Sequence, residues 1–412
     1  MLRDAAYFES LARRYPTAFD LRERARRLMP RFAFDYMDGG AGADDLGIRR
    51  NWAALDNVEL APRYGIVARP PACDTRIFGQ DYFAPVGVSP IGGPGTAFPG
   101  AETYLATAAQ KLRVPFTLGL LSGIDVEQAA ALAPDVLWFQ LYRFARNDHR
   151  IGLDLARRAE AAGVKVLVLT IDTPIRTIRP RETKSGIRNP FRVTWSMRFD
   201  ALSSPRWTAS MLRHGLPRFA SLKPYMKPNA SLQETADFIR AEAGGAFTWD
   251  EIAKYREVWK GPLVLKGILH PADAQRAIDA GVDGFIVSNH GGRQIVALPA
   301  AIDVLPAIVE QTRGRATILY DSGVRSGVDA ARAIALGADA ALAGKAFLWS
   351  LGALGADGPE HLIRILVDDL RATMGQLGCL TLADLRRVDR RHERAWRLDR
   401  PTELQERALA QP

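Results

Sequence analysis

The sequence predicts an α/β fold: a (β/α)8 TIM barrel with an N-terminal helical extension and a basic insertion after the fourth strand. Three observations carry that expectation. Short apolar runs alternate with Ala-rich helical segments from residue 84 onward, eight such runs occur, and most of them end in polar or glycine-rich residues. Near-continuous apolar strands with helical crossovers indicate a parallel sheet covered on both faces. Eight of them favour closure into a barrel over an open sheet.

Residues 1–80 read as a helical lead-in, with amphipathic stretches around 19–28 and 30–37 and then an irregular link rich in Pro and Gly. Strands are predicted at 85–88, 115–118, 136–139, 166–169, 263–265, 284–287, 317–320 and 340–343. Helices are predicted between them at 100–111, 125–131, 148–162, 271–280, 300–312 and 328–336. The rhythm spans 84–380 and breaks once, after the fourth run, at an insertion covering 184–245. That gap is too long for an ordinary connection. The 412 residues are expected to form one domain, since α/β barrels routinely run past about 250 residues undivided.

The formal net charge is +9, and its position is informative. Between 184 and 230, nine basic residues (Lys184, Arg188, Arg192, Arg198, Arg206, Arg213, Arg218, Lys223 and Lys227) face one acid, Asp200, a net +8. No helix-turn-helix, zinc-finger or RNA-binding signature accompanies them, which argues against nucleic acid. A cationic segment that also carries Trp195, Phe199, Trp207 and Tyr225 fits an anionic membrane surface. A mobile lid with a solvated charged face is the alternative.

Hydrophobic residues at 47% and charged residues at 25% are ordinary for a soluble globular chain. No run reaches the roughly 18 apolar residues of a spanning helix. The N-terminal stretch is charged throughout and lacks the apolar core of a signal peptide. Cys73 and Cys379 have neither paired nor metal-ligand spacing, so neither a disulfide nor a metal site is expected. The expected location is the cytoplasm, with peripheral contact at the inner face of the plasma membrane where the cations dock.

Nucleotide and zinc motifs are missing. Gly93 and Gly95 are followed by Phe98 where a dinucleotide fingerprint needs its third glycine. There is no phosphate-loop pattern, and His392-Glu393 lacks the second histidine of a zinc-protease helix. The chemistry gathers instead at the strand ends, where a barrel builds its active site. These ends read Ser89-Pro90-Ile91-Gly92, Gln140-Leu141-Tyr142, Thr170-Ile171-Asp172, Lys266-Gly267, Ser288-Asn289-His290-Gly291-Gly292-Arg293, Asp321-Ser322-Gly323-Val324-Arg325 and Gly344-Lys345. The last two offer glycine backbone N–H groups plus two cations, a donor set for a phosphate dianion. Tight turns with solvated charges are the alternative. Lys266 points into the mouth of such a barrel, where a buried ammonium needs an anionic partner; the ring nitrogen of a reduced flavin is one. Ser89, Gln140 and Thr170 offer neutral hydrogen bonds to a flavin's uracil-like edge.

These residues resemble the FMN-dependent 2-hydroxy acid oxidases and dehydrogenases, which include glycolate oxidase, flavocytochrome b2 and the membrane-bound L-lactate and (S)-mandelate dehydrogenases. The likeness runs from Phe34-Asp35-Tyr36-Met37-Asp38-Gly39-Gly40-Ala41 to Thr373-Met374 and Gly378-Cys379. Its most specific element is Ser288-Asn289-His290-Gly291-Gly292-Arg293-Gln294, supported by Trp138-Phe139-Gln140-Leu141-Tyr142 and Leu265-Lys266-Gly267. The resemblance implies FMN, held by Ser89, Pro90, Ile91, Gly92, Gln140, Thr170, Lys266, Ser288, Asp321, Gly323, Arg325, Gly344 and Lys345. It implies oxidation of an L-2-hydroxy acid, lactate- or mandelate-like, with His290 as base and Asp172 stabilising the imidazolium. It places Tyr142 near the reacting hydroxyl, Tyr36 and Arg293 on the substrate carboxylate, and Arg179 as a second arginine nearby. A homotetramer, with quinone or O2 as electron acceptor, completes the expectation.

Several positions depart from the family pattern. Gly119 and Leu120 stand where two hydroxyl residues are common, and Ile91 replaces a frequent Thr. Lys345 replaces a phosphate-binding Arg, keeping the charge and losing the fork. Val296 replaces an Asp, and Thr177 a Gly. Gly92 resembles the membrane dehydrogenases, where soluble oxidases usually have Ala, and the insertion around Ser204-Pro205-Arg206-Trp207 resembles that of mandelate dehydrogenase. Leu121 takes a pocket position that is a large aromatic in some members, which hints at room for a bulky acid. A flavin-binding scaffold with decayed chemistry is the rival of a different class, and intact His290, Asp172, Arg293, Tyr36 and Tyr142 argue against it.

Overall fold

A computed structural model describes residues 5–65, 69–175, 177–187, 194–215 and 219–396. All eight predicted runs are strands: β1 (Val86–Val88), β2 (Phe116–Gly119), β3 (Leu137–Leu141), β4 (Val166–Thr170), β5 (Leu263–Ile268), β6 (Gly284–Val287), β7 (Thr317–Tyr320) and β8 (Ala340–Ala343). Neighbours pair in parallel in chain order, and β8 pairs with β1 to close the barrel. Trp138, Phe116, Phe139 and Phe285 are almost wholly buried. Fully burying each such side chain stabilises the fold by roughly 1.5–3 kcal/mol relative to leaving it exposed. That is why these strands read as unbroken apolar runs.

The lead-in is richer than the periodicity predicts. It contains four helices, Ala5–Arg14, Ala18–Leu28, Arg31–Asp38 and Leu46–Asp56. The second starts at a capping box in which Thr17 accepts from the Asp20 backbone and Asp20 accepts from the Thr17 backbone. Its Leu21 and Ala25 are buried, and Ala25 and Met29 press against Gly352 of the apolar helix Lys345–Leu354. The irregular link contains an antiparallel hairpin, Thr75–Ile77 with Gln80–Tyr82. Phe78 at its turn packs against Gly284 at the start of β6, and the Tyr82 hydroxyl accepts from Trp138 Nε1 at 2.9 Å. The hairpin therefore meets the N-terminal end of the barrel, opposite the rim where the strand-end residues lie.

Helix Pro180–Lys184 leads into the insertion, whose described residues fold as helices Trp195–Leu202, Pro205–His214 and Leu232–Glu242, with a 3-10 turn at Ala220–Tyr225. Two of the four aromatics read as membrane-facing, Trp207 and Tyr225, correct that expectation. Trp207 is buried and donates Nε1 to the Ala97 carbonyl at 2.8 Å. Tyr225 is half-buried and bonds Asp154. An indole whose N–H finds a buried carbonyl packs as core, whatever cations flank it in sequence. Trp195 (82% exposed) and Phe199 (72%) do face outward, joined by Leu202 and Leu212. Arg188, Arg192 and Arg218 lie outside the described residues. No helix among the described residues is long and apolar enough to cross a membrane.

Candidate active site

The rim is shaped first by backbone. A register shift in β5 between Lys266 and Ile268 surrounds Gly267, whose φ of +112° suits glycine. A Cβ at Gly267 would lie 2.4 Å from the Cβ of Asp172, so only glycine lets the β4 and β5 ends approach this closely. Gly119 answers to a similar limit. A Cβ there would stand 2.5 Å from the Ile91 carbonyl oxygen, which accounts for glycine in place of a hydroxyl residue.

Beyond β6, residues His290–Gly292 form a 3-10 turn, and His290 itself sits at φ +59°. A non-glycine residue held in that region is a strained one that its surroundings must fix. Ser288 Oγ accepts from the His290 backbone at 3.0 Å, while Ser322 Oγ accepts from Asn289 and Gly291 at 3.1 and 3.0 Å. Asn289 exchanges hydrogen bonds of 2.8 and 2.6 Å with Asn51 of the lead-in helix Leu46–Asp56. The loop is clamped from the barrel and from the lead-in together.

The imidazole Nδ1 of His290 lies 2.9 Å from Asp172 Oδ1. A carboxylate there selects the tautomer with the proton on Nδ1, leaving Nε2 able to accept one. Burial pushes the His290 pKa below its ordinary value, against the pull of Asp172 and with help from Lys266 and Arg179. Burial alone would raise the Asp172 pKa, but His290 and Lys266 hold it below the usual carboxylate range. Lys266 donates to Ser288 Oγ at 2.7 Å and lies 3.2 Å from Asp321 and 3.7 Å from Asp172. Burial opposes its charge, yet Asp321 and Asp172 keep its pKa raised. Ser89 Oγ donates to Asp321 at 2.7 Å, so the ends of β1, β4, β5, β6 and β7 share one network.

A second cluster borders the first. Arg293 donates to the carbonyls of Tyr36 and Gly39 at 2.9 and 2.8 Å and pairs with Glu182 at 2.5 Å. Arg179 donates to the Arg293 carbonyl at 3.1 Å and lies 3.2 Å from Glu182. The Tyr36 hydroxyl donates to the Gly92 carbonyl. Tyr142 is half-buried, and a Cβ on Gly92 would stand 3.5 Å from its hydroxyl. Burial and neighbouring Asp172 push the Tyr142 pKa up to about 12. It is therefore a neutral donor at any ordinary pH.

The two cations expected at the phosphate end have different partners. Arg325 pairs with Asp56 and Asp329 and lies 5.5 Å from the Trp52 ring. Lys345 donates to the Gly39 carbonyl at 2.9 Å, beside Arg293 and Arg179, where burial pushes its pKa well down. Among the departures, Thr177 Oγ1 bonds the Arg293 carbonyl and Gln294 at 3.3 Å, and the Val296 carbonyl accepts from Arg50.

Sequence reading missed Glu182, Asn51 and Ser322. Glu182 is masked by the basic run around it, and Asn51 sits in a helix that the periodicity did not show. Ser322 alone had a signal, since it lies within a strand end already singled out.

Fold and rim together define a barrel enzyme that takes an anionic substrate. A family model, FMN-dependent dehydrogenase, matches residues 25–391. The chain belongs to that family, and it is an oxidoreductase with FMN as its cofactor. It is 36% identical over 367 residues to an L-lactate dehydrogenase of Pectobacterium atrosepticum, covering 89% of this chain and 94% of that protein. Identity to an L-lactate dehydrogenase of Yersinia pestis is also 36%, over 369 residues, 89% of this chain and 96% of that one. Among solved structures, the monotopic membrane protein (S)-mandelate dehydrogenase superposes with a TM-score of 0.84 at 31% identity, covering 90% of this chain and 97% of that one. A mandelate oxidase gives 0.76 at 33% identity, covering 92% and 99%.

The residues fit FMN. Gln140 is buried at the end of β3, and its Nε2 has no hydrogen-bond partner among the described residues. A buried amide donor left unmatched costs about 1–3 kcal/mol, which a flavin carbonyl relieves. Thr170, buried at the end of β4, stands on the neighbouring strand. Three cations, Arg179, Arg293 and Lys345, crowd one side of the rim, as anionic ligands require.

Proposed function

We propose that the protein oxidises an L-2-hydroxy acid of lactate or mandelate type to the 2-oxo acid, with His290 as the general base. The observation that carries this reading is the His290–Asp172 pair at 2.9 Å, set beside Arg293 and Arg179. Arg293 and Arg179, with Tyr36, bind the substrate carboxylate, displacing part of their pairing with Glu182. The neutral Tyr142 hydroxyl donates to the substrate oxygen. His290 Nε2 takes a proton from the substrate, and Asp172 stabilises the imidazolium that results. Bound FMN supplies the two-electron acceptor. Ser89, Pro90, Ile91, Gly92, Gln140, Thr170, Lys266, Ser288 and Asp321 would hold its ring, and Gly323, Arg325, Gly344 and Lys345 its phosphate.

Electrons then pass to a membrane quinone. This reading is supported by the outward-facing Trp195, Phe199, Leu202 and Leu212 on a cationic insertion, and by the likeness to a monotopic membrane dehydrogenase. A soluble oxidase reducing O2 is the second reading, favoured by the likeness to mandelate oxidase. Anaerobic bleaching of the flavin by L-lactate, (S)-mandelate and longer 2-hydroxy acids tests the reaction. A flavin that none of these acids bleaches defeats it. Repeating the reduction in air separates the two acceptors, because rapid reoxidation with release of H2O2 identifies the oxidase.

A further inference from the structure

Away from the strand-end site, a cavity of about 630 Å³ opens between the lead-in and the insertion. The helix Pro205–His214 forms one wall, and its faces divide the work by helical spacing. Trp207, Ser210 and His214 dock it: Trp207 on the Ala97 carbonyl at 2.8 Å, Ser210 on the Pro99 carbonyl at 2.7 Å, His214 on the Tyr104 hydroxyl at 2.9 Å. Arg206, Ala209 and Arg213, one position earlier at each step, line the cavity, with Ser210 at the boundary of the two faces. Leu212 is 80% exposed. The opposite wall is the first lead-in helix and the residues after it, with Arg14 and Arg24 among them.

The charge in this cavity is unbalanced. Among the described residues, Arg14, Arg24, Arg206 and Arg213 line it with one carboxylate, Asp357, which accepts from Tyr7 at 2.9 Å. Arg206 and Arg213 make no ion pair or hydrogen bond among the described residues. Arg14 and Arg24 both lie over the Tyr15 ring, at 5.5 and 5.0 Å, and Arg24 spends its Nε on the Ala353 carbonyl. Guanidinium forks gathered on two walls of one concavity repel each other unless an anion joins them. Their planar forks match the paired oxygens of a phosphate, and a dianion answers the surplus charge.

We propose that this cavity binds a phosphate group, presented by an anionic lipid headgroup or by a soluble phosphate. Either source would tie the insertion to the lead-in across the cavity. The test uses full-length, FMN-loaded protein, so that the flavin site is already filled. Inorganic pyrophosphate is titrated calorimetrically, and sedimentation is measured with vesicles of equal parts phosphatidylcholine and phosphatidylglycerol. Arg206→Ala/Arg213→Ala removes one wall, Arg14→Ala the other, and Arg198→Ala removes a cation outside the cavity. Each lost guanidinium–phosphate contact is expected to weaken binding about tenfold or more. Pyrophosphate binding that falls in both cavity variants and holds in Arg198→Ala identifies a soluble phosphate. Vesicle binding that falls more in Arg14→Ala than in Arg198→Ala, without pyrophosphate binding, identifies a headgroup. If pyrophosphate does not bind and Arg14→Ala weakens vesicle binding no more than Arg198→Ala, the cavity site is overturned. Membrane docking through the outward-facing aromatics would survive that result.

Discussion

The rim and the insertion both concentrate charge, and they settle it in opposite ways. On the rim, Lys266 and Asp321 are buried, Asp172 and His290 are half-buried, and each meets a partner within 4 Å. In the insertion, Arg206 and Arg213 are exposed and carry no ion pair among the described residues. Buried charge must be matched in place, because an unmatched ion in a low-dielectric site costs several kcal/mol. Exposed charge is screened within about 10 Å at 0.1 M salt and can wait for a partner. The rim thus matches its charge in place, and the insertion leaves part of its own facing solvent.

The sharpest way to break this contrast is at the base. His290→Gln should keep its flavin and lower the rate of anaerobic flavin reduction by about 10²–10⁴. Stopped-flow absorbance gives the answer, and near-normal reduction would remove His290 from its role. The pH profile sharpens the same point. Burial lowers the His290 pKa, so the neutral, proton-accepting form persists to lower pH than a free imidazole allows. Reduction should therefore fall only as pH drops through that depressed value and stay level between it and neutrality. A profile that climbs steadily through pH 7 would contradict the assignment.

On the insertion side, effects should be smaller and confined to binding. Trp195→Ala/Phe199→Ala removes two outward aromatics, and sedimentation with phosphatidylglycerol vesicles should weaken about tenfold or more, as burying such side chains contributes roughly 1.5–3 kcal/mol each. Flavin bleaching should be unchanged; a parallel loss of bleaching would mean that the insertion and the rim do not act separately. The smallest expected effect is at Arg325. Asp56→Asn removes the exposed one of the two carboxylates paired with Arg325 and leaves Asp329 in place, and such a solvent-exposed partner is worth about 0–1 kcal/mol. FMN should then bind the flavin-free protein at least as tightly as before, by no more than about fivefold, in a fluorescence titration. Weaker binding would show that Asp56 orients Arg325 for the phosphate.

The barrel was legible because its signal is local. Each of the eight strands announces itself in three to six adjacent residues, nearly all of them buried. The same holds for the His290 loop, whose glycines and polar residues are consecutive. The hairpin at Thr75–Ile77 and Gln80–Tyr82 was not legible, since three-residue strands carry too little alternation to stand out from a Pro- and Gly-rich link. Helix Leu46–Asp56 escaped notice for a related reason: its buried Asn51 breaks the apolar stripe.

By itself, then, the sequence determined the barrel, the polar strand ends and the identity of the imidazole and carboxylate that pair across them. Only the tertiary structure decided which charges meet. Glu182 reaches Arg293 across 111 residues and Asp56 reaches Arg325 across 269. Trp207, read as a membrane aromatic, is drawn into the core by a carbonyl 110 residues earlier. No local period encodes such pairings. They follow from closing the barrel and laying the lead-in and insertion over its rim, where each buried polar group takes the partner that the packing brings to it.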